Sequence, residues 1–405
     1  MREMKDSGVE WIGEIPAHWS PIRFRFIAKI TTGNQDTQNA DPDGEYPFYV
    51  RSPIVERCNN YTFDGKGILM AGDGAGAGRV FHLVDGKYAV HQRVYRFYDF
   101  KYMDPVLLKY YLENLFATVM DYGSAKTTVP SVRLPMIQDF VVCVPPKKEQ
   151  DNIVAVLNEK CAQVGSLISN VQAQIEKLKS YKQSLITEVV IKGLDPTAPM
   201  KDSGVEWIGE IPAAWDTVRV KQLLRERKER SAEGKEEPLS MSQKVGLVPT
   251  KTLDAIPNPA SSYVGAKLAF VNDLVFNKLK AHLGVFSVSK YDGLVSPDYA
   301  VYYSTGVVDL KYLEYLFKTP QCISEFSKRS TGIAAGLTRL YTDGLFAIEC
   351  PLPPKDEQQA IVAYLDEKWT QIDRLIAIKQ AKIEKLEQYK RSLIYEYVTG
   401  KKEVR

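Results

Sequence analysis

The sequence carries an internal duplication, and this feature limits the possible architectures more than any other. The segment MKDSGVEWIGEIPAHW at 4–19 recurs at 200–215, where the one difference is Ala214 in place of His18. A second block, from Pro145 to Val190, recurs from Pro353 to Val398. Solenoid proteins repeat every 20 to 50 residues or so, whereas this period is far longer. The sequence therefore predicts two copies of a domain rather than an array of small units.

The two copies are alike at their ends and different in their middles. The diverged middles run roughly over 20–144 and 216–352, between the two repeated blocks. Segments that stay alike are expected to contact something common to both copies, and the middles to contact different things. The alternative is a recent duplication that has merely drifted, but drift would scatter the changes along the chain.

Composition is that of a globular protein without a membrane or export segment. The 405 residues are 44% hydrophobic and 25% charged, which suits two or three domains with apolar cores. The sequence has no long apolar stretch, no secretory signal at the N-terminus, no Cys-x-x-Cys pair and no histidine at metal-ligand spacing. We expect a cytoplasmic protein with reduced thiols and no metal. The net charge of +3 permits DNA binding without arguing for it.

The second repeated block predicts a long helix in each copy. Apolar residues recur every seven positions, which is typical of a coiled coil; in the first copy they are Leu157, Val164, Val171, Leu178 and Leu185. A Pro-Pro pair precedes each helix, and Gly193 and Gly400 follow the two ends. Gly165 and Lys379 weaken the apolar seam. The two helices are expected to pair antiparallel with each other, unless each pairs with a separate partner chain.

Both middles are predicted to be β-rich domains with short helices. Asp85-Gly86 and Asp292-Gly293 have the composition of hairpin turns, and 104–112 and 309–316 of short helices. The glycine run 72–78 lacks the spacing of a nucleotide-binding loop, and a strand rather than a helix is expected after it. We interpret the run as a flexible loop that lets backbone approach a ligand such as DNA, with a plain hairpin loop as the alternative.

Polar side chains able to contact base edges lie at corresponding loops of the two middles. Arginine, lysine, glutamine and histidine present hydrogen-bond donors to guanine or adenine. The candidates in the first middle are Arg79, His82, His91, Gln92, Arg93 and Lys126. Those in the second are Lys278, Lys280, His282, Ser296, Asp298, Tyr299, Lys328 and Arg329. No methyltransferase, nuclease or nucleophilic triad motif accompanies them, so we predict recognition without catalytic residues.

The repeated segments resemble a known family. The lead segment KDSGVEWIGEIPAHW, the Pro-Pro-x-x-Glu-Gln helix start and the Tyr-Lys-x-Ser-Leu-Ile pattern resemble the specificity subunits of type I restriction-modification systems, over essentially the whole chain. The resemblance implies an α/β (α+β) fold of two pseudo-symmetric mixed α/β target recognition domains separated by an antiparallel two-helix coiled coil. The implied order is recognition domain 1 at 1–146, helix 1 at 147–192, recognition domain 2 at 193–352, helix 2 at 353–400 and a tail at 401–405.

The same resemblance implies function and partners. Each recognition domain would read one half of an asymmetric bipartite site in double-stranded DNA, while the coiled coil sets the spacer and docks two methyltransferase (modification) subunits. Restriction subunits would join the complex. S-adenosylmethionine, ATP and Mg are expected in those partner subunits and no cofactor in this chain. The alternative is a non-catalytic coiled-coil adaptor that binds proteins rather than DNA.

Overall fold

The computed structural model describes residues 2–123, 130–243, 245–253, 262–334 and 337–404. The chain divides into two compact units, one made of Met1–Gln172 with Gln380–Arg405 and the other of Ala173–Lys379. Each unit contains one diverged middle and part of each long helix. Because the units divide both helices, the domain limits inferred from the sequence stay a prediction.

The first half of the chain ends with the first long helix. Its strands and helices are, in order, β1 (Met4–Asp6), β2 (Glu14–Pro16), β3 (Ser20–Arg23), β4 (Lys29–Thr32), β5 (Tyr46–Tyr49), β6 (Glu56–Cys58), β7 (Phe63–Asp64), β8 (Gly67–Ala71), β9 (Phe81–Val84), β10 (Lys87–Val90), β11 (Val94–Tyr98), α1 (Pro105–Gly123), α2 (Leu134–Gln138), β12 (Val141–Val144) and α3 (Lys147–Lys192).

The second half repeats this plan and ends with the second long helix. Its elements are β13 (Met200–Asp202), β14 (Glu210–Pro212), β15 (Asp216–Arg219), α4 (Val220–Leu223), β16 (Leu224–Glu226), β17 (Leu239–Ser242), β18 (Gly246–Pro249), β19 (Lys267–Ala269), β20 (Leu274–Asn277), β21 (Phe286–Val288), β22 (Gly293–Val295), β23 (Tyr299–Ser304), α5 (Leu310–Phe317), α6 (Pro320–Arg329), β24 (Thr331–Ala334), β25 (Leu337–Arg339), α7 (Thr342–Phe346), β26 (Glu349–Leu352) and α8 (Lys355–Val398).

The main sheet has the same topology in both units. Its strand order is β4-β11-β8-β9 in the first unit and β16-β23-β20-β21 in the second, with antiparallel neighbours. Strand β8, GILMA, lies between two neighbours and is buried at every position, while β9, FHLV, lies at the edge and exposes Leu83. The predicted fold class, mixed α/β in two related copies, is confirmed.

Each unit also has strands that pair outside its main sheet. In the first unit β10 pairs parallel with β5 and antiparallel with β7, and in the second β22 pairs with β19. The hairpins expected at Asp85-Gly86 and Asp292-Gly293 are wrong, because β9 pairs with β8 and β21 with β20. Each Asp-Gly pair instead carries the chain from the main sheet to the other sheet. Turn composition predicts a reversal but not which strand becomes the neighbour.

Aromatic rings fill the two main cores. In the first unit Phe24 contacts Phe97 edge to face, with ring centroids 4.7 Å apart. In the second, Phe276 stacks on Phe286 at 4.5 Å, beside rings from α5 and α6. Such rings remove large apolar areas from water in a defined geometry. The five cysteines are buried as free thiols.

Both long helices, α3 and α8, are present, as the seven-residue apolar spacing predicted. They start directly after the Pro-Pro pairs, and Gly193 and Gly400 close them with φ of 79° and 71°. In the first unit, Leu157 near the start of α3 shares a core with Leu393 near the end of α8. In the second unit Val190, near the end of α3, shares a core with Leu365, near the start of α8. The helices therefore pair antiparallel with each other, and a separate partner chain is not needed to cover these seams.

The repeated lead segments attach to the starts of the helices. Each forms a small hairpin, β1–β2 or β13–β14, and ends in a fully buried tryptophan. The indole of Trp19 donates to Glu149 at 2.9 Å, and that of Trp215 donates to Glu357 at 2.8 Å. The one difference between the lead segments adds a contact, because the His18 ring lies 2.5 Å from Glu149. The duplication thus preserves a tryptophan–glutamate bond in each copy.

Candidate nucleic-acid interface

Three separate segments of the first unit meet at one place, which we call the first junction. They are the glycine loop after β8, the residues before β11, and the residues before α2. The backbone N–H of Gly72 donates to the carbonyl of Arg93 at 2.9 Å, and that of Val132 donates to Gly72 at 2.8 Å. The junction brings His91, Gln92 and Arg93 to the glycine loop.

The second unit forms the same junction from the corresponding segments. The backbone N–H of Lys278, after β20, donates to the carbonyl of Asp298 at 3.3 Å. That of Leu340, before α7, donates to Lys278 at 3.0 Å. Both bonds match those of the first junction in strand position and direction. The two diverged middles therefore share one arrangement of backbone at the junction, which holds different side chains in each copy.

A carboxylate organises the first junction. Asp73 accepts hydrogen bonds from the guanidinium of Arg51 at 3.0 Å and from that of Arg93 at 2.6 Å. Burial opposes ionisation of Asp73, but the bonds from Arg93 and Arg51 outweigh it and hold the pKa of the carboxyl below its usual value. The side chain of Asp73 is 13% exposed, against 42% for Arg51 and 63% for Arg93. The carboxylate therefore lies beneath two accessible cations.

Neighbouring candidates of the first unit have different surroundings. Gln92 is exposed and donates to Asp36 at 2.7 Å, and Arg79 is exposed on the glycine loop. His91 is buried, and its Nδ1 accepts the backbone N–H of Arg93 at 3.0 Å. His82 lies against the Tyr49 ring with its Nε2 3.3 Å from a carbonyl. Burial lowers the pKa of both histidines, so the neutral ring is favoured at each position.

The glycine loop packs against its own chain. A Cβ on Gly76 would lie 2.6 Å from the carbonyl oxygen of Arg51, and one on Gly72 2.8 Å from that of Arg93. The loop joins β8 to β9, which pair with each other, so it is the loop of a hairpin, as the alternative had it, while an approach to a ligand stays a prediction. The close approach seen within the chain is to the backbones of Arg51 and Arg93. The glycines allow this because they have no side chain to clash.

The second junction also contains a carboxylate bonded to a guanidinium. Asp298 accepts from Arg339 at 2.6 Å. Lys267 donates to the backbone carbonyl of Tyr299 at 2.5 Å, and burial together with nearby Lys278 lowers the pKa of Lys267. Ser296 accepts the backbone N–H of Asp298 through its hydroxyl at 3.3 Å. The structure thus brings together the candidates Lys278, Ser296, Asp298 and Tyr299.

Other candidates of the second unit lie away from this cluster. Lys280 and His282 occupy a turn before β21, where His282 lines an open cavity of about 1190 Å³. Lys328 and Arg329 lie at the end of α6, where both pair with the buried carboxylate of Glu325. Lys126 lies outside the described residues. Over the described ranges, no three histidine, cysteine or acidic side chains group as metal ligands, and none of the helices is apolar enough along its length to cross a membrane.

Comparison with known proteins agrees with this architecture. Residues 16–177 match the type I restriction modification DNA specificity domain. The chain is 22% identical over 392 residues to the type I restriction enzyme EcoDI specificity subunit of Escherichia coli, across 90% of this chain and 84% of that one. It is 24% identical over 416 residues to the MjaVIII specificity subunit of Methanocaldococcus jannaschii, across 96% and 93%.

A solved structure shares the fold. It comes from work on complex assembly and conformational transition of the type I R-M system, and it matches with a TM-score of 0.70 at 17% identity, covering 95% of this chain and 99% of that chain. Across most of its length the chain is thus similar to type I restriction specificity subunits. At this identity the solved structure supports the fold alone, and the likeness to specificity subunits rests on the family model and the two relatives.

Several residues of the two junctions are absent from the sequence-based candidates. They are Arg51, Asp73, Lys267 and Arg339. Asp73 left a signal, since it is the single charged residue within the glycine run 72–78. The others lie on segments distant in sequence, and only the pairing of strands brings them to the candidates. The two junctions also place their charges differently. The residue directly before β11 in the first junction is Arg93, whereas the residue directly before β23 in the second is Asp298.

Proposed function

We propose that this chain is the sequence-specific DNA-binding subunit of a type I restriction-modification complex and that it carries no catalytic residues. The observation that carries the proposal is the junction that recurs in both units with different polar side chains. A common backbone arrangement with different donors is what two related readers of different sequences need. A match to a DNA specificity domain does not support the alternative of a protein-binding adaptor.

Each junction would read one half of a bipartite site. The first presents Arg51, Arg93 and Gln92 at its surface, and the second presents Asp298 with Arg339. The acidic and basic side chains stand at different positions in the two junctions. The two halves of the DNA site are therefore expected to differ, and the whole target to be asymmetric. The histidines of the first unit would act by supporting this surface.

Equivalent exposed apolar side chains on the long helices support equivalent docking of two methyltransferase subunits. Leu167 and Leu375 occupy matching positions of the repeat, and so do Tyr181 and Tyr389. All four are about half exposed, at 50%, 47%, 54% and 54%. The first unit holds Leu167 and Tyr389, and the second holds Leu375 and Tyr181. One kind of partner surface would therefore find the same pair of side chains in each unit.

The remaining chemistry would belong to the partners. Under this proposal the methyltransferase subunits use S-adenosylmethionine, and the restriction subunits use ATP and Mg. The long helices would set the number of base pairs between the two half-sites.

The test is a selection on DNA. Duplexes with a randomised region are incubated with the full chain and its methyltransferase partner, and bound molecules are sequenced. We expect enrichment of two short words at a fixed spacing. Absence of any bipartite motif would refute the proposal, and methyl transfer by the isolated chain would refute the absence of catalytic residues.

Substitution of Gln92 or Arg79 by alanine separates base contacts from phosphate contacts. We expect relaxed specificity in one half of the motif, with the other half unchanged, because both residues belong to the first unit. The readout is the motif enriched by each variant from the same randomised pool. An equal loss of affinity for every sequence would show that these side chains contact phosphates.

A further inference from the structure

The geometry of the first junction points to the base that it reads. We propose that Arg51 and Arg93, held by Asp73, recognise guanine at one position of the half-site contacted by the first unit. The inference rests on the proposed function, and it adds the chemical identity of a recognised base. It also assigns Asp73 as a positioning residue that acts through the two arginines.

The hydrogen bonds leave each arginine with donors that point away from the carboxylate. Each guanidinium bonds Asp73 through its Nη1 atom. A guanidinium has five N–H donors in one plane, so fixing one N–H orients the others. Arg51 and Arg93 are 42% and 63% exposed, so these donors are accessible. The arrangement offers a fixed set of donors and no exposed acceptor from Asp73.

Such a surface matches guanine better than the other bases. In the major groove guanine presents two acceptors, N7 and O6, to which a guanidinium binds in a bidentate manner. Adenine presents one acceptor beside an amino donor, which would face an N–H of the arginine. Cytosine offers an amino donor that needs an acceptor, and the carboxylate of Asp73 is already engaged by two arginines. Guanine is the base that presents two acceptors and no donor on this edge, so it is the base that these donors match.

The surrounding backbone keeps the arginines in place. The N–H of Gly74 donates to the carbonyl of Pro130 at 3.0 Å, and the His91 ring accepts the N–H of Arg93. The carbonyl of Arg51 packs where a Cβ on Gly76 would clash. Ordering a long arginine side chain costs rotamer entropy, so an arginine that is fixed before binding loses less of it on contact with DNA. A fixed donor also discriminates more sharply than a mobile cation.

The same unit contains a matched control. Asp139 pairs with both Arg23 and Arg25, so it has the same composition as the junction cluster. This second cluster lies at the pairing of β3 with β12, on segments that do not form the junction, and Asp139 is 52% exposed. A carboxylate with two arginines is therefore present both inside and outside the junction. Only the cluster inside the junction, around Asp73, should affect base preference.

The experiment uses the full chain in a host that carries the complete system. Methylated sites are mapped for the wild type and for Arg51→Ala, Arg93→Ala and Asp73→Asn, with Arg25→Ala and Asp139→Asn as controls. Binding is then measured on duplexes carrying each of the four bases at every half-site position. We expect the junction variants to lose preference for guanine at one position by about tenfold or more, the scale of one bidentate contact. The other half-site and both control variants should be unchanged.

Two further variants guard against loss of folding. Arg51→Lys and Arg93→Lys keep the positive charge but lose the planar set of donors. We expect them to keep the salt dependence of binding and to weaken the preference for guanine, because a lysine ammonium can donate to N7 and O6 but has no fixed plane of donors. Asp73→Asn should likewise keep the salt dependence, because it leaves both arginines charged.

Three results would overturn the inference while leaving the proposed function intact. They are a half-site without guanine, an equal loss of affinity for all four bases in the alanine variants of the arginines, and a guanine preference that is undiminished in the lysine variants. Failure of the proposed function would be visible earlier, because the wild type itself would then show no bipartite preference.

Discussion

Neighbouring residues of the first junction have different roles although their sequence looks uniform. His91, Gln92 and Arg93 are all polar, yet the first is 3% exposed and the other two are exposed. The backbone between β10 and β11 turns the histidine inward, where its ring accepts a backbone N–H, and turns the other two outward. Burial of His91 thus holds Gln92 and Arg93 at the surface.

Burial of His91 predicts a dependence of stability on pH. Burial lowers the pKa of His91 below its ordinary value of 6.5, and nearby Arg51 lowers it further, while Asp36 and Asp73 oppose the shift. A lowered pKa in the folded state means that the neutral ring stabilises the fold fully above pH 6.5. This stabilisation is lost as the pH falls below 6.5 toward the folded-state pKa. We expect the thermal midpoint of the wild type to fall between pH 7.5 and 5.5.

His91→Asn tests the cause of that fall. The asparagine oxygen can accept the N–H of Arg93 as Nδ1 does, but asparagine does not titrate. The variant should therefore lose less stability between the two pH values than the wild type, as measured by differential scanning calorimetry. An identical loss in both proteins would assign the effect to other groups, such as His82.

The two long helices have nearly the same length but unlike middle sections. Where α3 places Val171 in the seam, α8 has Lys379, which donates to Gln174 at 2.5 Å. Lys182 pairs with Asp373 at 2.6 Å and lies 3.8 Å from the ring centre of Trp369. Gly165 stands at the repeat position of Asp373 and so lacks this pairing. These polar contacts of the second unit offset part of the stability that is lost where Lys379 replaces an apolar residue in the seam between the helices.

Replacement of Gly165 by alanine should stabilise the protein. A Cβ at this position meets nothing within 4 Å, and glycine in a helix interior costs about 1 kcal/mol relative to alanine. We expect the midpoint of urea unfolding to rise by an amount that corresponds to roughly this free energy. The change should leave the recognised DNA sequence as it is.

Gly193→Ala is the matched control at a helix end. Gly193 has a φ of 79°, and a Cβ there would lie 2.9 Å from the Glu357 carboxylate and 3.2 Å from the Trp215 ring. The same substitution should therefore lower the urea midpoint. A fall in stability for Gly165→Ala would mean that position 165 does not behave as an open, solvent-facing site within the helix.

At the scale of the whole molecule, the proposed role of the helices as a spacer can be tested by deletion. Gln174 contacts Lys379 and Lys182 contacts Asp373, so residues 170–176 lie across from 378–384. Deleting both heptads removes seven residues from each helix while preserving the phase of the apolar seam. At ~1.5 Å per residue the loss is roughly 10 Å, or about three base pairs.

We expect this double deletion to shorten the spacer of the methylated sites and to leave both half-site words unchanged. Deletion of either heptad alone would leave the helices out of register and should lower the thermal midpoint. If the double deletion left the spacer unchanged, or altered the half-site words, the helices would not be what sets the distance between the two half-sites.

The sequence by itself determined the features that local periodicity and repetition encode. The duplication, the two heptad helices with their proline starts and glycine ends, and the mixed α/β class of the middles all follow from residues close together in the chain. Such patterns are readable because the hydrogen bonds and apolar stripes of a helix join residues a few positions apart.

Only the tertiary structure decided which strands become neighbours and which side chains meet. The Asp-Gly turns pass between sheets instead of closing hairpins, and Arg51 reaches Asp73 because strands far apart in sequence bring their loops together. Strand pairing is a contact between distant residues, so local composition leaves the partner open. The duplication thus predicts two related domains, and the fold shows which side chains meet in each of them.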